Sequence, residues 1–513
     1  MKHKMAITAM TAVISSVCFA APASAFTDGD YDYSERYNSE LVITSYNGNE
    51  ADIVLPETLN GKRVIGIDYR AFKYNDVIRS VTIPESYSFL HIGAFQFSTV
   101  REINIPHKIK ELNNDVFKGC ECLEKVEFSG DVSNLNITGH PFVGCHALKE
   151  IVFPKDCRKV TIGYETFAEC AFDTLTIPCN CSLDNNSFRN NKKLNSVVFE
   201  GRANVGGMAF ADCDALESVS FNNGGNVEIS AFASLPKLKN IDISDDLTFS
   251  PRAFSYCLDL MNINSEPAFD SKTGDFNSKY KDFILKNFNG AQDVGFINEY
   301  VKANVKRVAN EVTNDSMSDI QKARALHDWI CANTEYDTDN INADRNHHDA
   351  SVFMNTKTVC EGYASLYDLL LREAGIESYY VHSNDHAWNI LNIDGHYFHS
   401  DTTWDDQTSS YKWFMCSDSE LQKAGGAHSS WRLLVPSVLH VYDRTSAPPC
   451  EYGIGDTNTD GDVNVADLVG LSRFLHGTSS PEKDKAVFYD VDSDGNTDAL
   501  DVVSLRKKIN VRS

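Results

Sequence analysis

Along the first half of the chain the apolar positions recur with a long period, not the short one of an amphipathic helix. Phenylalanines stand at Phe72, Phe95, Phe117, Phe142, Phe167, Phe188, Phe210, Phe232 and Phe254, spaced by 21 to 25 residues and mostly preceded by a small residue. Three residues after five of them comes a cysteine: Cys120, Cys145, Cys170, Cys213 and Cys257. A leucine usually follows, then a short β-rich run such as "VTIP" (81–84), "IVFP" (151–154) or "LTIP" (175–178). A repeat of this length is one supersecondary unit. Each unit predicts one short strand, often ended by a proline that donates no hydrogen bond, and one turn whose phenylalanine points inward. No coil buries its own apolar face, so stacking supplies the core and the pattern predicts a β-solenoid. The five equivalent cysteines are expected to form an internal ladder of small apolar side chains, not disulfides.

From about residue 287 to 441 helical spacing replaces the long repeat. The segment "SDIQKARALHDWICANTEYD" (318–337) predicts a helix with Ala325, Trp329 and Ala332 on one face. Beyond a polar stretch through His347 and His348, residues Tyr363, Leu366, Tyr367, Leu370, Leu371 and Ala374 fall at helical spacing, and Gly375 suits a C′ position. Cys360 therefore opens a helix, where the macrodipole and unsatisfied backbone N–H groups favour a thiolate. Cys331 and Cys416 have no such setting and are read as structural.

After this helix the pattern alternates. Asp394-Gly395 between two alternating runs predicts a two-residue hairpin turn. That register pairs Ile393 with His396, Leu391 with Phe398 and Trp388 with Asp401. His386 then becomes a diagonal neighbour of Asp401, about 7 Å away by Cα. His399 shares the face, and register alone does not choose between the two histidines.

Near the end, "DTNTDGDVNVAD" (456–467) and "DVDSDGNTDALD" (490–501) repeat one another. Each has oxygen-bearing residues at positions 1, 3, 5 and 9, a glycine at 6 and an aspartate at 12. Calcium is a hard cation that takes oxygen ligands at roughly 2.3–2.6 Å, and a tight loop bent at a glycine supplies them. One ion is expected on Asp456, Asn458, Asp460 and Asp467, with the Asp462 carbonyl and Asn464 completing it. A second is expected on Asp490, Asp492, Asp494 and Asp501, with the Asn496 carbonyl and Asp498.

Composition narrows the classes. A length of 513 residues predicts three or four domains, and 42% hydrophobic with 11% aromatic residues is ample for packed cores. A formal net charge of −25 argues against nucleic acid and anionic membrane surfaces as main partners. Lys2, His3 and Lys4, an apolar run through Ala20, and "APASA" ending at Ala25 read as an export signal cleaved after Ala25. The run is too short for a membrane anchor and is broken by Pro22, and no later segment is long and apolar enough to span a bilayer. A secreted protein without a membrane span is expected.

Three resemblances follow from these motifs. The "AFxxCxxLxxVxIP" pattern, over about residues 42–264, resembles the leucine-rich repeats of bacterial surface adhesins. The stretches "ARALHDWICANTEYD", "VCEGYA" and "HAWNILNIDGHYFHSDTTWDD" resemble the transglutaminase-like family of thiol enzymes, related to papain. That resemblance implies Cys360 as nucleophile, His386 as base and Asp401 as the residue orienting it, and selects His386 because only His386 stands in "HAWN". Thr358 departs from the glycine often found there. The implied chemistry is acyl transfer from a protein amide without a cofactor: to water in a peptidase or amidase, which analogy with secreted bacterial members favours, or to a lysine amine in a transglutaminase. The duplicated loops, over about 452–513, resemble a type I dockerin, the calcium-folded module that joins cellulosomal enzymes to cohesins on a scaffold protein. The resemblance implies a cohesin partner and places its recognition at Val465, Ala466, Ala499 and Leu500, apolar where the best-known dockerins carry Ser-Thr pairs. Thr497 stands where the second loop usually has an apolar residue.

The resulting expectation is a multidomain chain. It comprises a signal peptide (1–25), a leucine-rich repeat β-solenoid (26–265), an α+β papain/transglutaminase-like domain with its N-terminal linker (266–447), and a small all-α calcium-binding dockerin (448–513). The expected function is that of a secreted, cellulosome-attached thiol enzyme holding two Ca2+ in its dockerin, with the solenoid binding its target or a surface ligand. The alternative is an inactive adhesion or structural module of the scaffold complex. The short linker "TSAPPC" (445–450) predicts a dockerin close to the enzyme, with Cys450 exposed.

Overall fold

A computed structural model of the protein describes residues 26–112 and 115–512. The export signal read at residues 1–25 lies outside them. The chain divides into two compact units, one through Asp156 and the other from Cys157 onward.

In the first unit, strands Phe26–Asp28, Tyr31–Glu35 and Leu41–Tyr46 form an antiparallel start. The repeating coils follow. Strands Asp52–Val54, Ser80–Thr82, Glu102–Ile105, Lys125–Phe128 and Glu150–Val152 pair in parallel, one coil per step. Val81, Ile103, Val126 and Ile151 share one register position. The rings of Phe72, Phe95, Phe117 and Phe142 stack within, at centroid separations of 4.9, 5.4 and 5.4 Å.

The second unit begins with more coils, and each carries two strands where the sequence predicted one. Thr174–Ile177, Ser196–Phe199, Ser218–Phe221, Asn240–Asp242 and Asn262–Ile263 form one parallel ladder. Lys159–Ile162, Asn180–Leu183, Ala203–Val205, Gly225–Val227 and Leu247–Phe249 form the other. The second strand has no recurrent signature in the sequence because it buries only two side chains per coil, which vary from Cys181 and Leu183 or Ala203 and Val205 to Leu247 and Phe249, and it has no recurrent proline. Phe188, Phe210, Phe232 and Phe254 stack almost parallel, at 5.3, 4.7 and 5.2 Å.

The cysteine ladder has a more polar role than expected. Cys213 and Cys257 donate S–H to the carbonyls of Phe188 and Phe232 at 3.3 and 3.1 Å, one coil back. In the first unit Cys120 and Cys145 do the same to Phe95 and Phe117, at 3.0 and 3.1 Å. Asn191 fills the equivalent place with its amide, 2.9 Å from the Phe167 carbonyl. Where such a donor stands, it pairs an inward carbonyl that would otherwise lack a partner; after Phe232 the same position is held by the buried Leu235.

After the coils come helices Gly295–Val312, Asp319–Asn333 and Cys360–Glu373. They accompany a sheet ordered Phe414–Cys416, His396–Ser400, Ala387–Ile393, Ser378–His382 and Arg432–Leu433. Ser318 and Gln321 form a reciprocal capping box that starts the helix Asp319–Asn333. Its buried face is Ile320, Ala323, Leu326, His327 and Ile330, not the face bearing Ala325, Trp329 and Ala332. His327, which reads as polar in the sequence, turns inward to lie 3.3 Å from the buried Asp405 carboxylate.

The C-terminal segment has helices Val465–Leu475 and Ala499–Arg512, with a 3-10 turn at Lys483–Tyr489 and Leu471, Phe488 and Leu505 buried. It is fastened to the preceding sheet. The Ile454 N–H donates to the Met415 carbonyl at 2.9 Å, and Phe488 packs on His396 and Phe398 with ring separations of 4.9 and 5.9 Å. Cys450, expected to be exposed, is 0% exposed: its carbonyl accepts from the Asp418 N–H at 2.8 Å, and its side chain joins a core with Trp388, Trp413 and Cys416.

Candidate active site and metal loops

Cys360 is placed by the residues just before it. Lys357–Thr358 pairs in parallel with Glu335–Tyr336, which puts Tyr336 opposite Thr358. Thr358 is buried and donates to the Asn346 carbonyl at 2.8 Å. A Cβ on Gly362 would stand 2.0 Å from the Thr358 hydroxyl, so a threonine at 358 goes with a glycine at 362. Val359 is extended, and the helix begins at Cys360. The thiol is 7% exposed, packed with Ala364, Tyr380 and Ala387, with Tyr336 and Leu434 against them.

The hairpin forms in the expected register. Asp394 and Gly395 both have positive φ, 53° and 89°, and Ile393, Leu391 and Asn389 face His396, Phe398 and Ser400. Continuing that register brings His386 Nε2 to 2.7 Å from Asp401 Oδ2. Asp401 also caps the helix Thr402–Thr408, its Oδ1 accepting from the Trp404 N–H at 3.1 Å. With Nε2 committed to Asp401, Nδ1 is the ring nitrogen His386 has left for another partner. Burial opposes protonation of His386. The Asp401 charge, its hydrogen bond and the Cys360 sulfur outweigh burial and raise the pKa to about 10. Burial would raise the Asp401 pKa, but His386 and His428 hold it well below the usual carboxylate range.

His428 was not foreseen. Its Nε2 lies 2.8 Å from the same Asp401 Oδ2, it is fully buried, and Trp388, Trp404 and Trp413 surround its ring at 4.9, 4.2 and 5.0 Å. It stands alone in a glycine- and serine-rich stretch 27 residues after Asp401, so no local periodicity marks it. His399, the rival left by the register, is held elsewhere. Its Nδ1 accepts the Trp388 indole N–H at 3.0 Å and its Nε2 faces Asp418 at 2.8 Å, which fixes the Nε2–H tautomer; burial lowers its pKa.

Of the two cysteines read as structural, one has a neighbour the sequence did not suggest. Cys331 does have a histidine neighbour, His327 Nδ1 at 3.9 Å, but its thiol donates to the Thr402 carbonyl at 3.6 Å. Cys416 donates to the Lys412 carbonyl at 3.3 Å. Beside Cys360, a cavity of about 330 Å³ is lined by His347, His348, Glu361, Tyr380, His382 and Arg432. Burial would raise the Glu361 pKa, yet hydrogen bonds and charge from His347 and His382 lower it to about 2.

In the C-terminal loops the end aspartates organise the backbone. Asp456 accepts from the N–H groups of Asp460 and Gly461 at 3.1 and 2.8 Å, and Asp467 from those of Asn458 and Asn464 at 3.2 and 2.8 Å. Asp490 accepts from Asp494 and Gly495 at 3.1 and 2.9 Å, and Asp501 from Val491, Asp492 and Asp498 at 2.7, 3.2 and 2.7 Å. Asp490, Asp492 and Asp494 converge within 4.8 Å, and Asp492 Oδ1 is buried without a partner. Asn464 caps its helix and reaches the Asp462 carbonyl at 3.2 Å, while Asn496 lies at the matching turn of the second loop. Burial, with neighbouring carboxylates adding to it, pushes Asp456 and Asp490 up to about 6. An all-oxygen set that crowds carboxylates in this way fits a hard divalent cation. Val465, Ala466, Ala499 and Leu500 stand exposed at the helix starts, Val465 by 63% and Leu500 by 57%.

Comparison with known families gives three matches in chain order. A BspA-type leucine-rich repeat region matches in six copies over residues 48–161 and 160–281. The transglutaminase-like superfamily matches 306–415, and the dockerin type I domain matches 454–510. The middle match contains Cys360, His386 and Asp401 but ends before His428. The protein is thus a multidomain chain of leucine-rich repeats, a transglutaminase-like domain and a C-terminal dockerin domain.

Among curated proteins, the kyphoscoliosis peptidase of Mus musculus is 29% identical over 122 residues, and that of Homo sapiens 27% over 125. Each match covers 20% of this chain and 18% of the relative, so the chain spans under a fifth of their length. A leucine-rich repeat protein from Bacteroides ovatus is 15% identical over 47% of this chain and 88% of its own, with a TM-score of 0.28. A TGase crystal structure is 20% identical over 25% of this chain and 36% of its own, with a TM-score of 0.20.

Proposed function

We propose that the protein is an extracellular, cellulosome-type thiol enzyme that cleaves protein amide bonds through Cys360, His386 and Asp401. The observation that carries this reading is the 2.7 Å His386–Asp401 pair at the adjoining ends of the strands Ala387–Ile393 and His396–Ser400, near Cys360, a cysteine at the start of a helix. The Cys360 thiolate attacks the amide carbonyl, and a C–S bond forms. The Cys360 backbone N–H, in a first turn that offers it no helical acceptor, faces the developing oxyanion. Protonated His386 gives its proton to the leaving amine as the C–N bond breaks. Neutral His386 then takes a proton from water, which attacks the thioester and releases the acid and the thiolate. Asp401 fixes the His386 tautomer and stabilises its cation.

Hydrolysis, not transfer to a lysine, is the outcome we favour; the curated relatives carry the name peptidase. The dockerin domain holds two Ca2+, one on Asp456, Asn458, Asp460, Asp462, Asn464 and Asp467, the other on Asp490, Asp492, Asp494, Asn496, Asp498 and Asp501. It presents Val465, Ala466, Ala499 and Leu500 to a cohesin. Secretion by the signal at residues 1–25 delivers the chain to that scaffold, and the repeats bind the protein target. Screening denatured proteins and peptides for cleavage tests the enzyme reading. Turnover that disappears in Cys360→Ser is expected, and turnover unchanged in that variant overturns it.

A further inference from the structure

Cys157 and Cys179 stand apart from the ladder thiols. Neither occupies the position three residues after a coil's phenylalanine, and they are 22 residues apart, one coil in sequence. Their Sγ atoms lie 2.7 Å from one another, closer than unbonded sulfurs pack. The ladder thiols Cys213 and Cys257 point instead at backbone carbonyls. We propose that Cys157 and Cys179 are a disulfide site that staples one coil to the next, oxidised by exchange with a low-molecular-weight disulfide.

Access and chemistry give the order of events. Cys157 is half-buried, so an oxidant reaches it, whereas Cys179 is 5% exposed. The hydrogen bond from Cys179 lowers the Cys157 pKa, and the same bond together with burial raises that of Cys179. The Cys157 thiolate attacks one sulfur of the small disulfide, forming a mixed disulfide and releasing one small thiolate. Cys179 then attacks the Cys157 sulfur and expels the second. The two protein thiols lose two electrons and two protons, and the small disulfide gains them as two thiols. The closed loop contains Phe167 and its turn, so the bond fixes one whole coil of the stack. Cys181 is the nearest competitor, two residues on and on the same side of its strand as Cys179, but it is 2% exposed.

The test uses the full chain, incubated with oxidised glutathione, then denatured in an alkylating reagent and mapped by mass spectrometry with fragmentation. A Cys157–Cys179 cross-link is expected, with Cys181, Cys213 and Cys257 alkylated. In Cys157→Ser the cross-link is lost and Cys179 is alkylated. Dithiothreitol is expected to lower the thermal midpoint of the oxidised native chain but not that of Cys157→Ser. Full alkylation of both Cys157 and Cys179 after oxidation, or a Cys157–Cys181 link in their place, overturns the proposal. None of these readouts depends on amide cleavage.

Discussion

Asp401 receives three donors: His386 Nε2, His428 Nε2 and the Trp404 N–H. Such a carboxylate cannot rotate away from His386 without leaving buried N–H groups unpaired. Asp401→Asn is therefore expected to lower kcat by about 10³–10⁴, measured on any cleaved substrate, because the amide favours the wrong tautomer. The same pair sets a pH limit. With its pKa raised to about 10, His386 keeps its proton through neutral pH and loses it as pH rises through that value, so activity is expected to fall on an alkaline limb there. In Asp401→Asn that limb moves to lower pH.

A second histidine bears on stability. His440 lies 2.6 Å from Asp368 and 3.0 Å from Asp349, with Tyr442 and Arg372 also on Asp368. Burial opposes its protonation, but Asp349 and Asp368 raise its pKa to about 9. A raised value means stabilisation that is fully present below about 6.5, the unfolded value, and lost as pH rises through 9. Denaturant titrations across that window check the trend. His440→Ala, which strands two buried carboxylates, is expected to cost about 3–5 kcal/mol and to flatten it. At this scale the sequence was informative where chemistry follows local register. Cys360 is marked by its helix start, and the Asp394-Gly395 turn brings Asp401 to a histidine, though it left His386 and His399 both open and only the resemblance at "HAWN" chose His386. His428 and His440 reach their carboxylates only through tertiary closure, which no periodicity records.

The coils of the solenoid rest on stacked phenylalanines, and in several of them a donor stands three residues on, as Cys213 and Asn191 do. Phe210→Ala is expected to cost about 3–5 kcal/mol by urea denaturation, because its stacked neighbours on both sides cannot close the void. Asn191→Leu keeps the volume but leaves the Phe167 carbonyl without its 2.9 Å donor, a cost of about 1–3 kcal/mol. The first strand of each coil was legible because proline and β-branched residues recur there. The second was not, since its few buried side chains vary from coil to coil. Position 225 shows how tightly that strand is packed: Gly225 has φ of 139°, and a Cβ there would lie 1.8 Å from the Ala203 carbonyl. The helix Asp319–Asn333 teaches a related lesson, since hydrophobicity alone pointed to Trp329 while the buried partner of Asp405 is His327.

In the second unit the dockerin domain is seated rather than tethered. Besides the Phe488 and Ile454 contacts, Arg324 donates to the Asp492 carbonyl at 2.6 Å, and Gln321 donates to that of Asp494. A dockerin close to the enzyme was expected from the short linker, but the burial of Cys450 among Trp388, Trp413 and Cys416 is long-range packing that left no trace in the local sequence. The crowded carboxylates of the two loops are expected to need a cation. Calcium added to chelated protein should increase helical circular dichroism, and no change in that signal would remove the metal reading. Asp456→Ala and Asp490→Ala should each weaken the response.

One thiol among many, Cys360, decides the chemistry of the whole molecule. The most direct measurement is the rate at which a thiol-reactive probe labels each cysteine of the purified protein across pH, resolved by peptide mapping. Cys122, which is exposed, supplies the reference. Faster labelling of Cys360 than Cys122 under mildly acidic conditions, with that preference abolished in His386→Ala, is the predicted result. A Cys360 that never outpaces Cys122, or a preference that survives in His386→Ala, would contradict an activated thiolate at this site.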